Sequence, residues 1–391
     1  MIRSFKYRLY PNKTQSSKID YTLEFCRGLY NCALEQRIMY HKEYKKSISY
    51  LNQSKEIKGL GKENNIVYSA LQQTLIRLDK SYQRFFKGLK KNIKVGFPRF
   101  KFKDRYNSFN TISGFKLSNR LYLQNIGNIK IKLHRQLEGN IKQLIIKRST
   151  DKYYAIFVCD QVPSKIWPSA KNQIGLDVGL ASFITDNNSN KTENPRWYRK
   201  LLSKIQEKQR SLSNKKKGSK RRLKCKLELS RLYEKSSSQR LDFQHKLSHK
   251  IITENQVIVV EDLKIQDMQS SASGGLNKSI NDAGWRQFID FLSYKAESAG
   301  RIFLKVPPEG TSSTCFQCGN YKKKELHERS HSCEACCFTC DRDHNAAMNI
   351  LDRGLKEVGL PSSGFLTEDL LEGRRSCIQF GLQELIQLKR L

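Results

Sequence analysis

The spacing of hydrophobic positions divides the first part of the chain into strand-like and helix-like segments. Phe5, Tyr7 and Leu9 alternate with basic residues, which is the two-residue period of a half-buried strand. Apolar side chains then recur at helical spacing from residue 19 to about residue 44 and over residues 69–89, so two long helices are predicted. Short β-type runs separated by turns follow over residues 95–162. We therefore predict an N-terminal β-barrel closed by the first strand, with the two helices inserted.

The later part of the chain combines strand patterns with long basic helices. Residues 171–186 predict a strand pair, residues 257–260 a buried strand, and residues 281–300 an amphipathic helix. Between residues 201 and 250 there are 16 Lys/Arg against four Asp/Glu, a net charge of +12. Such a large excess of positive charge favours contact with phosphates over a helix face that is only solvated. The candidate contacts at the predicted hairpin tip are Lys215, Lys216, Lys217, Arg221 and Arg222.

The whole chain shares this positive charge. Its 72 Lys/Arg and 37 Asp/Glu give a formal net charge of +35, which favours a polyphosphate partner because binding releases counterions. A membrane surface is the rival polyanion, but no apolar run approaches the roughly 20 residues that span a bilayer. The N-terminus also lacks the apolar core of a signal peptide. We expect a monomeric nucleic-acid-binding protein of the prokaryotic cytoplasm, associated with the nucleoid and without a membrane partner.

Three acidic residues stand at the ends of predicted elements. Asp177 lies between two glycines on one face of a strand, where a bulky ligand could approach the backbone. Glu261 ends a run of four β-branched residues, and ligand groups collect at the carboxyl ends of strands in open α/β sheets. Asp343 begins a predicted helix. The alternatives are an Asp beside a turn at Asp177, a cap at Asp262 and a helix cap at Asp343.

In a strongly basic protein, three such acids together favour a metal site. Mg²⁺ prefers hard oxygen ligands and retains room for water and substrate phosphates. Two ions about 3.5–4 Å apart stabilise the attacking and leaving oxygens of a phosphodiester. We predict that Asp177, Glu261 and Asp343 hold two Mg²⁺ ions and catalyse nucleic-acid cleavage. The alternative is a non-cleaving nucleic-acid-binding accessory or regulator protein, which the loss of one acid would have favoured.

Six of the eleven cysteines lie between residues 315 and 340. Two CxxC pairs with 14 residues between them have the spacing of a closed tetrahedral zinc site, which is structural because it leaves no open position. The predicted ligands of this single zinc ion are Cys315, Cys318, Cys333 and Cys336. Other residues near enough in sequence to replace one of them are Cys337, Cys340, His327, His331 and His344.

Several segments along nearly the whole chain are characteristic in their order, and the last four are the most specific: FKYRLYPNKTQ, LYNCALEQRI, ALQQTLIRLDKSYQRFFKG, GFPRFK, RLYLQNIG, IGLDVGL, DFQHKLS, VVEDLKIQDM, SINDAGWRQF and TSSTC with CDRDHNAAMNIL. In these segments the chain resembles the TnpB (OrfB) family of insertion-sequence-encoded, RNA-guided DNA nucleases, which are related to type V CRISPR effectors. The resemblance implies a RuvC-like nuclease domain of RNase H fold, with its acids at Asp177, Glu261 and Asp343. It favours Asp343 over Asp341. Cys337 replaces the family's usual glycine after the fourth cysteine.

The resemblance also implies the partners and the reaction. Residues 1–165 would bind a guide RNA and read a short motif flanking the target, and the nuclease would make a programmable double-strand cut in DNA. Candidates for the DNA-reading surface are Tyr50, Ser54 and Gln72, although ordinary surface polarity explains them equally well.

We therefore expect an α+β multidomain protein. Its expected parts are a β-barrel (1–12 and 91–165), a helical insertion (13–90), a RuvC-like α/β domain (171–311 and 341–358) with a basic helical hairpin (198–250), a zinc-ribbon insertion (312–340) and a weakly helical or disordered tail (359–391).

Overall fold

The computed structural model describes residues 2–163, 167–168, 170–325 and 328–360. The predicted tail lies outside the described residues from residue 361 onward. The chain divides into two compact units, with the boundary between residues 163 and 164. No helix in the described ranges combines the length and apolar content needed to cross a lipid bilayer.

Strand β1 and two long helices begin the first unit, close to the predicted positions. Asn12 starts helix α1 by a capping box: its side chain accepts the Gln15 N–H at 2.8 Å, and the Gln15 side chain accepts the Asn12 N–H at 3.0 Å. The elements of this unit are β1 (Arg3–Tyr10), α1 (Lys13–Tyr44), α2 (Tyr50–Glu56), α3 (Leu60–Glu63), α4 (Tyr68–Lys90), β2 (Ser108–Thr111), β3 (Phe115–Leu117), β4 (Arg120–Leu123), β5 (Gly127–Lys132), β6 (Asn140–Ser149) and β7 (Lys152–Asp160).

The seven strands form one antiparallel sheet in the order β2-β6-β7-β1-β5-β4-β3. Among the described strands, β2 pairs with β6 alone and β3 with β4 alone, so the sheet has two edges. The prediction of a closed barrel is therefore wrong. Closure requires the edge strands to pair with each other. Here the two edge strands, β2 and β3, follow one another directly in the chain and do not pair. The Gly114 carbonyl, which lies between them in the sequence, accepts the Gln124 N–H.

The core of the first unit lies between this sheet and the stripes of α1 and α4. Alternate residues of β1, including Tyr7 and Leu9, face Leu23 of α1 and Leu75 of α4. Each large apolar side chain buried in this way contributes roughly 1.5–3 kcal/mol. The helices are thus fixed on the sheet by packing along one face.

The second unit is a mixed α/β structure that continues into a small cysteine-rich hairpin. Its elements are β8 (Asn172–Val178), β9 (Ser182–Asp186), β10 (Lys191–Glu193), α5 (Trp197–Ser213), α6 (Lys220–Glu254), β11 (Asn255–Glu261), α7 (Ile265–Ser271), α8 (Gly274–Ala283), α9 (Trp285–Ala299), β12 (Ile302–Val306), β13 (Ser330–Ser332), β14 (Thr339–Asp341) and α10 (Arg342–Glu357).

Five strands of this unit form a sheet in the order β10-β9-β8-β11-β12, in which β8, β11 and β12 are parallel. Helices cover both faces, as parallel strands require. Ile258 and Val260 of the central strand β11 pack with α6 and α9, whereas Val257 and Val259 pack with α10. Because successive side chains alternate, Glu261 at the end of β11 belongs to the α10 face.

Gly175 lets α10 lie directly on β8. A Cβ atom at this position would lie 2.4 Å from the Ala347 carbonyl oxygen and 2.7 Å from the Leu351 Cβ. The space beside the Asp177 strand is therefore filled by a helix, and the interpretation of Gly175 as room for a ligand is wrong. What the glycine provides is a close helix–sheet approach.

We expect Gly175→Ala to destabilise the protein by roughly 1–3 kcal/mol or more, because the methyl group meets the backbone of α10, which cannot move aside cheaply. The measurement is thermal unfolding of the full chain followed by circular dichroism. Gly274→Ala is the matched control, since nothing lies within 4 Å of a Cβ there. Equal unfolding midpoints for the two variants would contradict this account of the fold.

Candidate functional site

Asp177 and Glu261 stand side by side at the carboxyl ends of two parallel strands. The pairing of β8 with β11 runs to Leu176 opposite Val260, so the two acids are the next residues on neighbouring strands. Neighbouring strands lie about 4.8 Å apart, and directly opposite side chains share a face. Glu261 is only 8% exposed, whereas Asp177 is half-buried. The sheet thus brings together two carboxylates that are 84 residues apart in the sequence.

Asp343 joins them from the first turn of α10. The helix cap is Asp341, whose carboxylate accepts the N–H groups of Asp343 at 3.0 Å and His344 at 3.3 Å. The alternative that Asp343 is itself the cap is therefore wrong. Its carboxylate lies 3.7 Å from the Arg342 guanidinium, with 17% of the side chain exposed.

Asp262 does not belong to this group. Its side chain is exposed and lies 3.5 Å from the Lys305 ammonium. Helix α7, which follows, has no side-chain cap, so the suggestion that Asp262 caps the next element is also wrong. Glu261 is thus the acid of this pair that faces α10.

The pKa is raised at two of the three acids, Asp177 and Glu261. Burial, followed by the charges of Glu261 and Asp343, raises the pKa of Asp177 well above its ordinary value, and the Arg342 charge only partly opposes this. Burial also raises the pKa of Glu261, against the hydrogen bond from Thr311 and the charge of Arg353. The fold therefore holds together carboxylates that repel one another, and a hard divalent cation would relieve that repulsion.

Thr311 and two asparagines of α10 connect this acidic site to the cysteine-rich loop. The Thr311 hydroxyl donates to the Glu261 carboxylate at 2.5 Å. The Asn349 side chain donates to the carbonyls of Thr311 at 2.8 Å and Thr314 at 2.7 Å. One turn earlier, the Asn345 side chain donates to the Thr314 carbonyl at 2.8 Å and accepts the Phe316 N–H at 3.0 Å.

Thr311, Asn345 and Asn349 have no predicted role from the sequence pattern. All three are buried. A polar side chain that is buried must find a partner. The available signal was the occurrence of these residues in the TSSTC and CDRDHNAAMNIL segments, but only the fold shows which groups they contact.

Four cysteine thiols converge as predicted. The sulfurs of Cys315, Cys318, Cys333 and Cys336 all lie within 4.8 Å of one another. The Sγ–Sγ distances are 3.7 Å from Cys315 to Cys336 and 3.5 Å from Cys318 to Cys333. Sulfurs about 2.3 Å from a central ion in tetrahedral geometry would have nearly this separation, so the set could hold zinc. Backbone N–H groups, first that of Cys336, lower the pKa of Cys333 to about 6, which favours the thiolate that a metal needs.

Cys337 is a turn residue of the second knuckle. Its φ is 58°, in the left-handed region, and its N–H donates to the Cys333 carbonyl at 2.9 Å. Gly319 makes the same turn in the first knuckle, with φ of 76° and an N–H bond of 2.9 Å to the Cys315 carbonyl. Cys337 thus stands where glycine is conformationally favoured.

The remaining alternative zinc ligands lie outside the cluster. The Cys340 thiol donates to the Asp341 carbonyl, and His331 Nδ1 contacts the Lys324 ammonium. His344 Nε2 lies 3.1 Å from the Asn187 carbonyl oxygen. His327 is outside the described residues. In the part of the chain that the structure describes, the four predicted cysteines are the group of His, Cys, Asp or Glu side chains that lies closely enough to hold a single ion.

Helices α5 and α6 form the predicted basic hairpin, but its five candidate residues differ. Lys216, Lys217 and Arg221 are exposed at or next to the tip. The Lys215 ammonium donates to the Ser211 hydroxyl at 2.7 Å, and Arg222 donates to the Lys215 carbonyl at 2.9 Å. Those two cations therefore hold the tip together, and the other three are free to meet a phosphate.

The three candidates for DNA reading all lie in the first unit. Tyr50 begins α2 and is half-buried against the core. The Ser54 carbonyl accepts the Tyr68 hydroxyl at 3.3 Å, and Gln72 is half-buried on α4. No contact of the described side chains assigns them to DNA, so their role stays a prediction.

Comparison with known proteins covers most of the chain. A family of transposon proteins described as "Probable transposase" (OrfB_IS605) matches residues 156–272. A "Cas12f1-like, TNB domain" matches residues 285–350, and a "Helix-turn-helix domain" of the same transposon family matches residues 1–46, which fold as strand β1 and the single helix α1.

Two relatives match over nearly their full length. "Putative RNA-guided DNA endonuclease InsQ" of Escherichia coli (strain K12) is 30% identical over 377 residues, which cover 90% of this chain and 92% of that protein. A "Putative RNA-guided DNA endonuclease" of Streptomyces pristinaespiralis is 30% identical over 368 residues, which cover 90% and 89%. The chain belongs to the TnpB (OrfB) family.

A solved structure shows the same fold for this TnpB-family chain. The protein in "Cryo-EM structure of the Cas12f1-sgRNA-target DNA complex" superposes with a TM-score of 0.57 at 12% identity, over 90% of this chain and 98% of that one. At such low identity the likeness concerns the fold alone. The expectation of a multidomain protein that combines helices and strands is confirmed, and its class is mixed α/β.

For the cysteine site of this TnpB-family protein, we expect Cys336→Ser to lose zinc and Cys340→Ser to retain one zinc ion per chain, measured by elemental analysis. Chelation should make residues 312–340 sensitive to protease, because the metal supplies much of the folding energy of so small a unit.

Cys337→Gly serves as a second comparison. It should retain the zinc and resist chelator better than the parent, since a non-glycine residue at positive φ costs about 1–3 kcal/mol. Zinc loss in Cys340→Ser or in Cys337→Gly would show that the ligand set is not the one described.

The raised pKa of Asp177 predicts a pH-dependent penalty in the protein without added Mg²⁺. The folded state binds this proton more tightly than the unfolded chain, so the contribution of Asp177 to stability is fully present below the ordinary Asp pKa of about 3.9 and is lost as pH rises through the raised value. Asp177→Asn should therefore raise the thermal midpoint at neutral pH by about 2–4 °C. The gain should shrink on acidification, and a pH-independent or opposite effect would refute this electrostatic account.

Proposed function

We propose that this protein is an RNA-guided DNA endonuclease of a transposable element, cleaving target DNA at a RuvC-like site in a domain of RNase H type. The observation that carries the proposal is the meeting of three acids from β8, β11 and α10 in a chain of net charge +35. Relatives covering nearly the whole chain are named as RNA-guided DNA endonucleases, which supports the guide and the substrate. We assign Asp177, Glu261 and Asp343 as the catalytic acids.

The acids fit a pair of Mg²⁺ ions chemically. They are hard oxygen donors, and the charges of Glu261 and Asp343 act unfavourably on an ionised Asp177. Two bound Mg²⁺ ions would activate a water and stabilise the leaving oxygen of the phosphodiester.

The protein's own contribution is to orient the acids. The Thr311 hydroxyl fixes one oxygen of Glu261, so the other oxygen remains available. Asp341 takes over the capping of α10 and leaves Asp343 turned toward the other two acids. Partners of this kind typically change metal affinity or activity by 10- to 100-fold.

The exposed cations of the α5–α6 hairpin support a nucleic-acid path in the same unit. Lys216, Lys217 and Arg221 carry no acidic neighbour between Ser211 and Cys225 in the sequence. We propose that they bind the phosphate backbone of the guide or target. Such contacts give affinity and leave sequence recognition to base pairing.

We expect Asp177→Ala to reduce Mg²⁺-dependent cleavage of a guide-matched duplex DNA by at least about 100-fold, because loss of a ligand exceeds the effect of losing its supporting partners. Binding of the guide RNA should persist. The measurements are cleavage on a gel and RNA affinity by filter binding, with protein purified from cells that carry its native locus and co-purified RNA identified by sequencing.

Asp262→Ala is the matched control, because this neighbouring carboxylate is exposed and paired with Lys305. It should cut like the parent protein. Undiminished cutting by Asp177→Ala would refute the site assignment, and absence of any co-purified RNA would refute guide dependence.

A further inference from the structure

The first unit contains a basic and aromatic stretch that neither the acids nor the cysteines explain. Its residues, 80–103, form what we call the aromatic segment. Nine Lys/Arg, six aromatic residues and no acidic residue occur in these 24 positions. The segment comprises the last turns of α4 and the irregular chain that follows.

The irregular part is fixed in place. Ile93 N–H donates to the Gly88 carbonyl at 2.9 Å, which folds the chain back along α4. A Cβ at Gly88 would lie 2.5 Å from a Val95 methyl carbon, so the fold-back needs glycine there. Farther on, the Asn31 side chain of α1 accepts the Lys101 N–H at 2.8 Å and donates to its carbonyl at 3.0 Å. Contacts with α4 and α1 therefore hold the segment in a defined conformation.

The fold-back assembles a cluster of rings. Phe97 meets Tyr82 and Phe85 edge-on, with centroid distances of 5.4 Å and 5.3 Å. Phe86 stacks on Tyr82 at 6.2 Å, and the Arg37 guanidinium lies 5.1 Å from the Tyr82 ring centre. These rings line a cavity of about 530 Å³. The rings are thus gathered beside a guanidinium that is itself buried, and the exposed cations of the segment lie at other positions.

Four phenylalanines of the aromatic segment are exposed: Phe86 by 52%, Phe97 by 44%, Phe100 by 48% and Phe102 by 73%. Phenylalanine is usually buried, and Phe86 and Phe97 belong to the ring cluster around Tyr82 and Phe85, so their exposure favours a binding surface. Six basic residues of the aromatic segment are also exposed in the part between Arg84 and Arg99, namely Arg84, Lys87, Lys90, Lys91, Lys94 and Arg99.

The charge identifies the occupant. A second copy of the chain would bring the same cations face to face, which is unfavourable. The acid that lines the cavity, Asp79, is already paired with Arg37 at 3.1 Å. A polyanion with flat apolar faces satisfies both properties of the surface, and single-stranded nucleic acid is such a ligand.

We infer that the aromatic segment binds unpaired nucleotides of an RNA, with bases stacking on the exposed phenylalanines and phosphates meeting the neighbouring cations. A base within a duplex has no free face for a fixed ring, whereas loops and ends of RNA present unstacked bases. This inference rests on the proposed function. It favours RNA over DNA because the guide is the strand that the protein must hold whatever the target.

The test uses the full chain without added Mg²⁺ and a fluorescein-labelled single-stranded oligouridylate of about 16 nucleotides, the upper site size of common single-strand binders. A Phe86→Leu, Phe102→Leu double variant retains apolar bulk and loses both ring faces. It should bind this RNA about tenfold more weakly, with an unchanged dependence on salt. Lys87→Ala should instead lower the salt dependence.

Tyr122→Leu is the matched control, since this 39%-exposed tyrosine of β4 lies in the same unit but outside the aromatic segment. It should bind like the parent. Ultraviolet crosslinking followed by peptide mapping should place RNA adducts on residues 86–102.

Other results would overturn the inference. Equal RNA affinity of the double variant and the parent would exclude stacking. A loss confined to single-stranded DNA of the same length would assign the surface to a displaced DNA strand. A change from dimer to monomer, with RNA affinity unchanged, would assign it to a second copy. If the parent bound no RNA, both this inference and the proposed function would fail, whereas normal RNA binding without cleavage would leave this inference standing.

Discussion

The close approach of helix α10 to the parallel strands is the constraint on which the second unit depends. Gly175 lets the helix backbone lie against β8, and Gly354 does the same against Val259 of β11, where a Cβ would lie 2.5 Å from a methyl carbon. Both contacts set the height of the helix above the sheet. Its first turn, with Asp343, consequently lies at the strand ends that carry Asp177 and Glu261. Burial and mutual repulsion make this arrangement electrostatically costly, so packing rather than attraction must hold it.

The same helix connects the acids to the cysteines. Asn345 and Asn349 bind the loop from Thr311 to Phe316, which supplies the hydrogen bond to Glu261 and the first thiol, Cys315. The cysteine hairpin therefore begins on the helix that carries an acid of the candidate active site. A buried network of this kind is stable only when every member is paired, which explains why two distant segments must fold together.

Close contacts at a glycine also occur in the first unit, next to the aromatic segment. Gly88 permits a tight fold-back, as Gly175 permits a tight helix contact, and each glycine faces atoms that a side chain would displace. Buried Arg37 joins Gln53 at 2.8 Å and Asp79 at 3.1 Å, and so ties α1 to α2 and α4. Arg37 is thus neutralised inside the unit. The exposed cations of α4 and of the chain that follows remain available to an anionic partner.

Local pattern alone determined much of this protein: strand β1, helices α1 and α4, the basic hairpin and the two CxxC pairs follow from periodicity, charge and spacing, because those signals are carried by neighbours in sequence. Tertiary structure decided the rest. Whether the first sheet closes depends on edge strands whose pairing has no local signal. Asp341 rather than Asp343 caps α10, because the backbone places the Asp341 carboxylate beside the N–H groups of Asp343 and His344. Thr311 contacts Glu261 across a separation of 50 positions in the sequence, and Cys337 is identified as a turn residue only by its backbone angle. Contacts between distant segments follow from packing, which a one-dimensional pattern does not contain.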